Sequence, residues 1–111
     1  MKELQAIEEW HDVLEQSKEA PLFVLKHSMT CPVSIAAFSV FEAYTTTIPK
    51  YFLTVQDSRP VSNEIERDLG IRHESPQLFL LKDGKGIWQA THYAISKAEI
   101  GKAVEEYIER A

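Results

Sequence analysis

Apolar positions along the chain change their spacing several times, and each change marks an element. Over residues 3–18, Leu4, Ile7, Trp10 and Leu14 recur at three- and four-residue steps among Glu, Gln and Lys, the spacing of an amphipathic helix. After Pro21, Leu22-Phe23-Val24-Leu25 is a continuous apolar run, as in a strand covered on both faces. Residues 32–46 predict a second helix with Val33, Ala37, Val40, Phe41 and Tyr44 on its apolar face, ended by Thr45-Thr46-Thr47 and Pro49. Residues 51–55 predict a second strand. Pro60 and Ser62 then introduce a short helix, with Ser62 as its expected cap and Gly70 as its terminator. Residues 78–81 predict a third strand, Lys82-Asp83-Gly84-Lys85 a turn, and residues 86–91 its hairpin partner. Ser96-Lys97-Ala98-Glu99 is a capping box that opens a last helix bearing Ile100, Val104, Tyr107 and Ile108. The order α-β-α-β-α-β-β-α predicts an α/β domain over residues 1–111, with a mixed sheet of four strands flanked by helices.

Composition narrows the partners. Of 111 residues, 44% are hydrophobic and 26% charged, the make-up of an ordinary globular domain. The net charge of −5 argues against nucleic acid or an anionic membrane surface as the main partner. No apolar run approaches the roughly 20 residues of a membrane-spanning helix. The start, Met1-Lys2-Glu3-Leu4-Gln5, has no apolar signal core, so a cytoplasmic location is expected. A single cysteine, Cys31, rules out an internal disulfide and any multi-cysteine metal site. Any thiol chemistry must involve another molecule.

Cys31 falls between the first buried strand and the start of a helix. The first amides of a helix lack internal partners and the dipole is positive there, so a thiolate in that position is stabilised. Pro32 suits the first helical position. Ser34, three residues on, is placed to turn its hydroxyl back toward the sulfur.

The element order, a Cys-x-x-Ser at the first helix after the first strand and a lone proline just before the third strand together resemble the thioredoxin fold, with an extra N-terminal helix. More narrowly, Thr30-Cys31-Pro32-Val33-Ser34 is similar to the active-site motif of the monothiol bacilliredoxins, the bacillithiol-system redox proteins of the YtxJ type. Chain length, Trp88 and the Thr91-His92 segment fit the same likeness. The resemblance implies a thiol–disulfide oxidoreductase that removes bacillithiol from S-bacillithiolated proteins, with no bound cofactor. Bacillithiol would be its thiol co-substrate, and a bacillithiol disulfide reductase system a further partner. It implies Cys31 as the attacking cysteine and Ser34 in place of a resolving cysteine. Pro76 would be a cis-proline whose preceding residue, Ser75, faces the sulfur. Leu25 stands where thioredoxins carry a buried Asp. Pro32-Val33 is unlike the Gly-Phe of cluster-bridging glutaredoxins.

His27 and His92 are candidate contacts to a thiolate or to a bacillithiol carboxylate. His11 and His73 have no ligand spacing, and no metal site is expected. Trp88 is expected to pack at the core or sheet edge, and Lys26, Lys82 and Lys85 to be solvated. Two other readings stay open: a non-catalytic thioredoxin-like module that binds a partner or senses redox state, and an iron–sulfur-carrying protein of the monothiol glutaredoxin kind.

Overall fold

A computed structural model describes residues 1–110. Five strands form one sheet: β1 (Lys2–Glu3), β2 (Leu22–His27), β3 (Lys50–Thr54), β4 (Gln77–Lys82) and β5 (Lys85–Thr91), in the order β1-β3-β2-β4-β5. β3 runs parallel to β1 and β2, whereas β4 is antiparallel to β2 and β5. Four α-helices cover the sheet: α1 (Ile7–Gln16), α2 (Pro32–Ala43), α3 (Arg59–Leu69) and α4 (Lys97–Val104).

The central strand β2 shows why a continuous apolar run was needed. Its side chains alternate between two separate cores. Leu22 and Val24 join Trp10, Val13, Val61, Ile65, Phe79 and Leu81 beneath α1 and α3. Phe23 and Leu25 join Ala37, Phe41, Leu78, Leu80 and Ile100 beneath α2 and α4. Trp88 packs, partly buried, against this second core.

Three boundaries differ from the sequence pattern, each for a local reason. Leu4 is buried, but not on a helix: its N–H donates to Phe52 O at 2.7 Å, continuing the short edge strand β1 that adds a fifth strand to the sheet. α1 therefore begins only at Ile7, where Glu9 Oε1 accepts the Ala6 and Gln5 N–H groups. α3 begins before Pro60, with Ser58 at the N-cap, because a proline in the first turn removes no needed donor. Ser62 thus lies inside α3 and is buried, not its cap. At the other end Gly70 closes α3 with φ 66°, as anticipated. In the hairpin turn both Asp83 (φ 56°) and Gly84 (φ 73°) are left-handed, the geometry that matches strand twist. Ser96 Oγ accepts the Glu99 N–H at 3.1 Å, capping α4.

Lys26 departs most from expectation. It is not solvated but fully buried, on the α3 side of β2. It occupies the next inward position after Leu22 and Val24, where the strand's alternation leaves no route to water. Its Nζ lies 3.1 Å from Ser62 O and 3.1 Å from His73 Nδ1, and 6.0 Å from the centre of the Phe79 ring. Burial pulls its pKa from 10.5 to about 8, against the opposing pull of Glu66. A lysine whose folded pKa is depressed makes the unfolded chain the better proton binder between those two values, so stability rises with pH across that window. Wild-type stability should therefore gain about 3 kcal/mol between pH 8 and 10.5 relative to Lys26→Met, which has no proton to lose there. Parallel urea titrations of the two proteins over that range measure the difference.

Candidate active site

The polypeptide leaves β2 at His27, crosses the short segment Ser28–Thr30 and enters α2 at Pro32, so that Cys31 is the helix N-cap (φ −100°, ψ 118°). The cysteine is free and partly exposed. Its carbonyl accepts the Ile35 N–H at 3.0 Å, the first bond of the helix, and Pro32 sits at the first helical position. Strand and helix thus fix the backbone on both sides of the thiol and leave its side chain at the surface.

Ser34 is fully buried, and its hydroxyl is engaged by two other groups. Ser34 Oγ accepts the Ser28 N–H at 2.8 Å and lies 2.9 Å from His27 Nδ1. Ser34 Oγ thus joins the Ser28 amide to the His27 ring. The His27 ring also packs on Phe38, with centroids 4.8 Å apart. Burial lowers its pKa from 6.5, with a backbone bond to Ser34 acting in the opposite sense. The geometry makes His27 and Ser34 a clasp that closes the β2–α2 loop.

A second fastening comes from Gln56, just after β3. Its Oε1 accepts the Met29 N–H at 3.1 Å, and its Nε2 donates to Ser28 Oγ at 2.8 Å and to Thr30 Oγ1 at 3.4 Å. Thr30 is thereby tied to the neighbouring strand.

The Ser75–Pro76 peptide is cis. Pro76 O accepts the His92 N–H at 3.1 Å, which joins this segment to the 3-10 turn His92–Ala94, and that turn packs against α2. The structure therefore links His92 to the proline through its backbone (φ 52°), while its side chain is exposed. Ser75 Oγ is buried and has no hydrogen-bond partner among the described residues. Beside the proline segment lies an open cleft of about 440 Å³, lined by Arg72, Glu74, Gln89, Ala90, Thr91 and Ala94. Of the large apolar side chains left exposed, Met29, Ile35 and Tyr93 lie on the Cys31 loop, the first turn of α2 and the 3-10 turn.

A sequence profile described as monothiol bacilliredoxin BrxC matches residues 2–100. The chain belongs to the monothiol bacilliredoxin BrxC family. Among solved structures, a protein with a thioredoxin fold, proposed to be an oxidoreductase, is 34% identical with a TM-score of 0.83, over 91% of this chain and 90% of that one. The thioredoxin of Fasciola hepatica is 12% identical with a TM-score of 0.78, over 96% and 99% of the two chains. Mitochondrial thioredoxin 3 of Saccharomyces cerevisiae is 16% identical with a TM-score of 0.70, over 96% and 94%. The last two show the fold alone.

Within this bacilliredoxin chain, the residues that hold the Cys31 loop were only partly visible in advance. The sequence points to His27 and Ser34 as contacts to a thiolate or ligand, whereas the fold makes them each other's partners. Gln56 carried no signal at all, because a glutamine after a strand is ordinary. His11 has neighbours that its spacing did not suggest: its Nε2 is 3.1 Å from Glu64 Oε2 and 3.7 Å from Asp68 Oδ2 across α1 and α3. Among the described residues, no helix is long and apolar enough to cross a membrane.

Two outcomes follow for the clasp. Ser34→Ala should cost about 1 kcal/mol, because it removes the acceptor of the part-buried Ser28 N–H, and should speed hydrogen exchange at the Ser28 amide. His27 should titrate below 6.5 in an NMR pH series. A depressed histidine pKa favours the fold above 6.5 and forfeits that favour as pH falls through the lowered value, so the clasp weakens in acid.

Proposed function

We propose that this protein is a monothiol thiol–disulfide oxidoreductase that removes bacillithiol from S-bacillithiolated proteins. The observation that carries the reading is a lone, partly exposed thiol at the N-cap of α2, inside the stretch matched by the bacilliredoxin family. Sulfur attack on a disulfide needs a thiolate with open access along the S–S axis, and Cys31 is held at the surface at the positive end of a helix.

In this scheme the Cys31 thiolate attacks the bacillithiol sulfur of the mixed disulfide. The client thiolate leaves and takes up a proton, and Cys31 becomes disulfide-bonded to bacillithiol. A second bacillithiol thiolate then attacks the bacillithiol sulfur of that adduct, freeing Cys31 and producing bacillithiol disulfide. A bacillithiol disulfide reductase system would return this disulfide to two thiols. No bound cofactor takes part.

Other features support the same reading. Ser34 cannot act as a resolving nucleophile, and its hydroxyl is already engaged by Ser28 and His27. Thr30 and Pro32 shape the loop on either side of the sulfur. In this reading the backbone of Ser75, on the cis bond to Pro76, pairs with an extended substrate. Met29 on the Cys31 loop and Ile35 in the first turn of α2 give a client protein exposed apolar side chains beside the thiol. In this reading His92, exposed on the turn that Pro76 O joins, meets a carboxylate of bacillithiol, and His27 holds the Cys31 loop through Ser34. The proposal places this exchange in the cytoplasm.

Intact-mass spectrometry after mixing with a bacillithiolated client should show one bacillithiol added to wild type, and none to Cys31→Ala. If Cys31→Ala releases bacillithiol from the client as fast as wild type, the catalytic reading fails and a binding module takes its place. Ser34→Cys supplies a second thiol one helical turn away, within disulfide reach. Its adduct should collapse to an internal disulfide without added thiol, whereas the wild-type adduct should persist until free bacillithiol is supplied.

A further inference from the structure

Lys26 is the only buried charged side chain among the described residues, and the scheme above makes no use of it. It lies on β2 five positions before Cys31 and directly opposite Gln77 on β4, the residue that follows Pro76. The segment leading into Pro76 folds back over this point. Gln77 is fully buried, donates to Arg72 O at 3.0 Å and accepts the Glu74 N–H at 3.1 Å. The His73 N–H donates to Glu66 Oε2 on α3 at 2.6 Å, and the His73 ring turns inward to Lys26 Nζ (3.1 Å) and Ser62 Oγ (3.3 Å). Lys26 thus ties the strand that delivers Cys31 to this segment through the His73 ring.

We propose that Lys26 is a positioning residue, whose buried amine, held by His73 Nδ1 and the Ser62 carbonyl, latches residues 72–77 to the end of β2 and so sets where Ser75 and Pro76 stand relative to Cys31. The proposal rests on the reading of Cys31 as the attacking thiol. Its chemistry is asymmetric in pH. His73 accepts from Lys26 only while Nδ1 is unprotonated. When the ring takes up a proton, a second cation faces Lys26. Arg59 of α3 adds to that repulsion, Glu66 of α3 and Glu74 of the segment oppose it, and Phe79 of β4 contributes only its ring. Burial and the Lys26 charge already hold the His73 pKa below 6.5. The latch is therefore closed at neutral pH and loosens in acid.

Lys26→Met keeps a straight side chain in the slot and removes the amine. Three measurements on the full chain decide the matter. The NMR titration midpoint of His73 should rise in Lys26→Met, because its cationic neighbour is gone. Hydrogen-exchange protection should fall at His73, Glu74 and Gln77 while that of α2 stays as in wild type. Exchange of Cys31 with an S-bacillithiolated peptide should slow by about tenfold, the scale of a misplaced substrate contact, while alkylation by iodoacetamide stays within about twofold. His73→Phe, which lacks the acceptor, should behave in the same way. His73→Gln, whose amide oxygen can accept from Lys26, should recover most of the lost rate. An unchanged His73 midpoint, unchanged protection, or equal losses in exchange and alkylation would overturn the latch. If wild type does not react with the bacillithiolated peptide at all, the proposed function falls. The titration and protection measurements need no substrate and still decide whether Lys26 holds the segment.

Discussion

β2 is hydrogen-bonded along both edges, to β3 and β4, and covered on both faces, so none of its six side chains from Leu22 to His27 chooses its direction freely. Alternation assigns Leu22, Val24 and Lys26 to the α1/α3 core and Phe23, Leu25 and His27 to the α2/α4 core. The last two residues are polar, and each finds its partner in a different part of the chain: Lys26 meets His73 and Ser62, and His27 meets Ser34. The position of Cys31 follows from this constraint. A strand with both edges paired cannot slide without turning every side chain to the opposite face, so the point at which the chain leaves the sheet and enters α2 is fixed by the packing of the whole molecule.

The fold class was readable because its signals are local or periodic. Continuous apolar runs identified β2 and β4, Gly70 and Ser96 marked helix ends, and Asp83-Gly84 marked the hairpin. Cys31, Pro32 and Pro76 were found the same way, each at a boundary between elements. What escaped depends on contacts between distant residues. β1 is two residues long and exists because β3 offers an open edge, which no pattern around Lys2 or Glu3 reveals. Lys26 follows four apolar residues and reads as the polar end of a strand. Its burial is decided by Ser62 of α3 and His73 of the 72–77 segment, 36 and 47 residues further along the chain. His73, dismissed for want of ligand spacing, acquires its importance only from Lys26. Ser62 was noticed as a polar residue near a helix start, yet the first turn accepted Pro60 and carried the cap back to Ser58.

The two polar ends of β2 also share a chemical logic. Both partnerships engage an imidazole Nδ1, and burial disfavours protonation at both rings. The clasp on one face and the latch on the other therefore fail in the same direction of pH, although the residues on the two sides do not touch the same core. At neutral pH both rings are uncharged and both attachments hold.

The loop around Cys31 is fastened unequally at its two sides. At Ser34 the bonds lie in the interior, where breaking them strands a polar group away from water. At Gln56 they lie at the surface, where water offers equivalent partners and the net cost of letting go is small. Such a loop behaves like a flap with its hinge sunk in the protein and its catch in solvent. The Gln56 bonds to Ser28, Met29 and Thr30 can open to water while the Ser34 side stays closed. The wall behind the sulfur need not move.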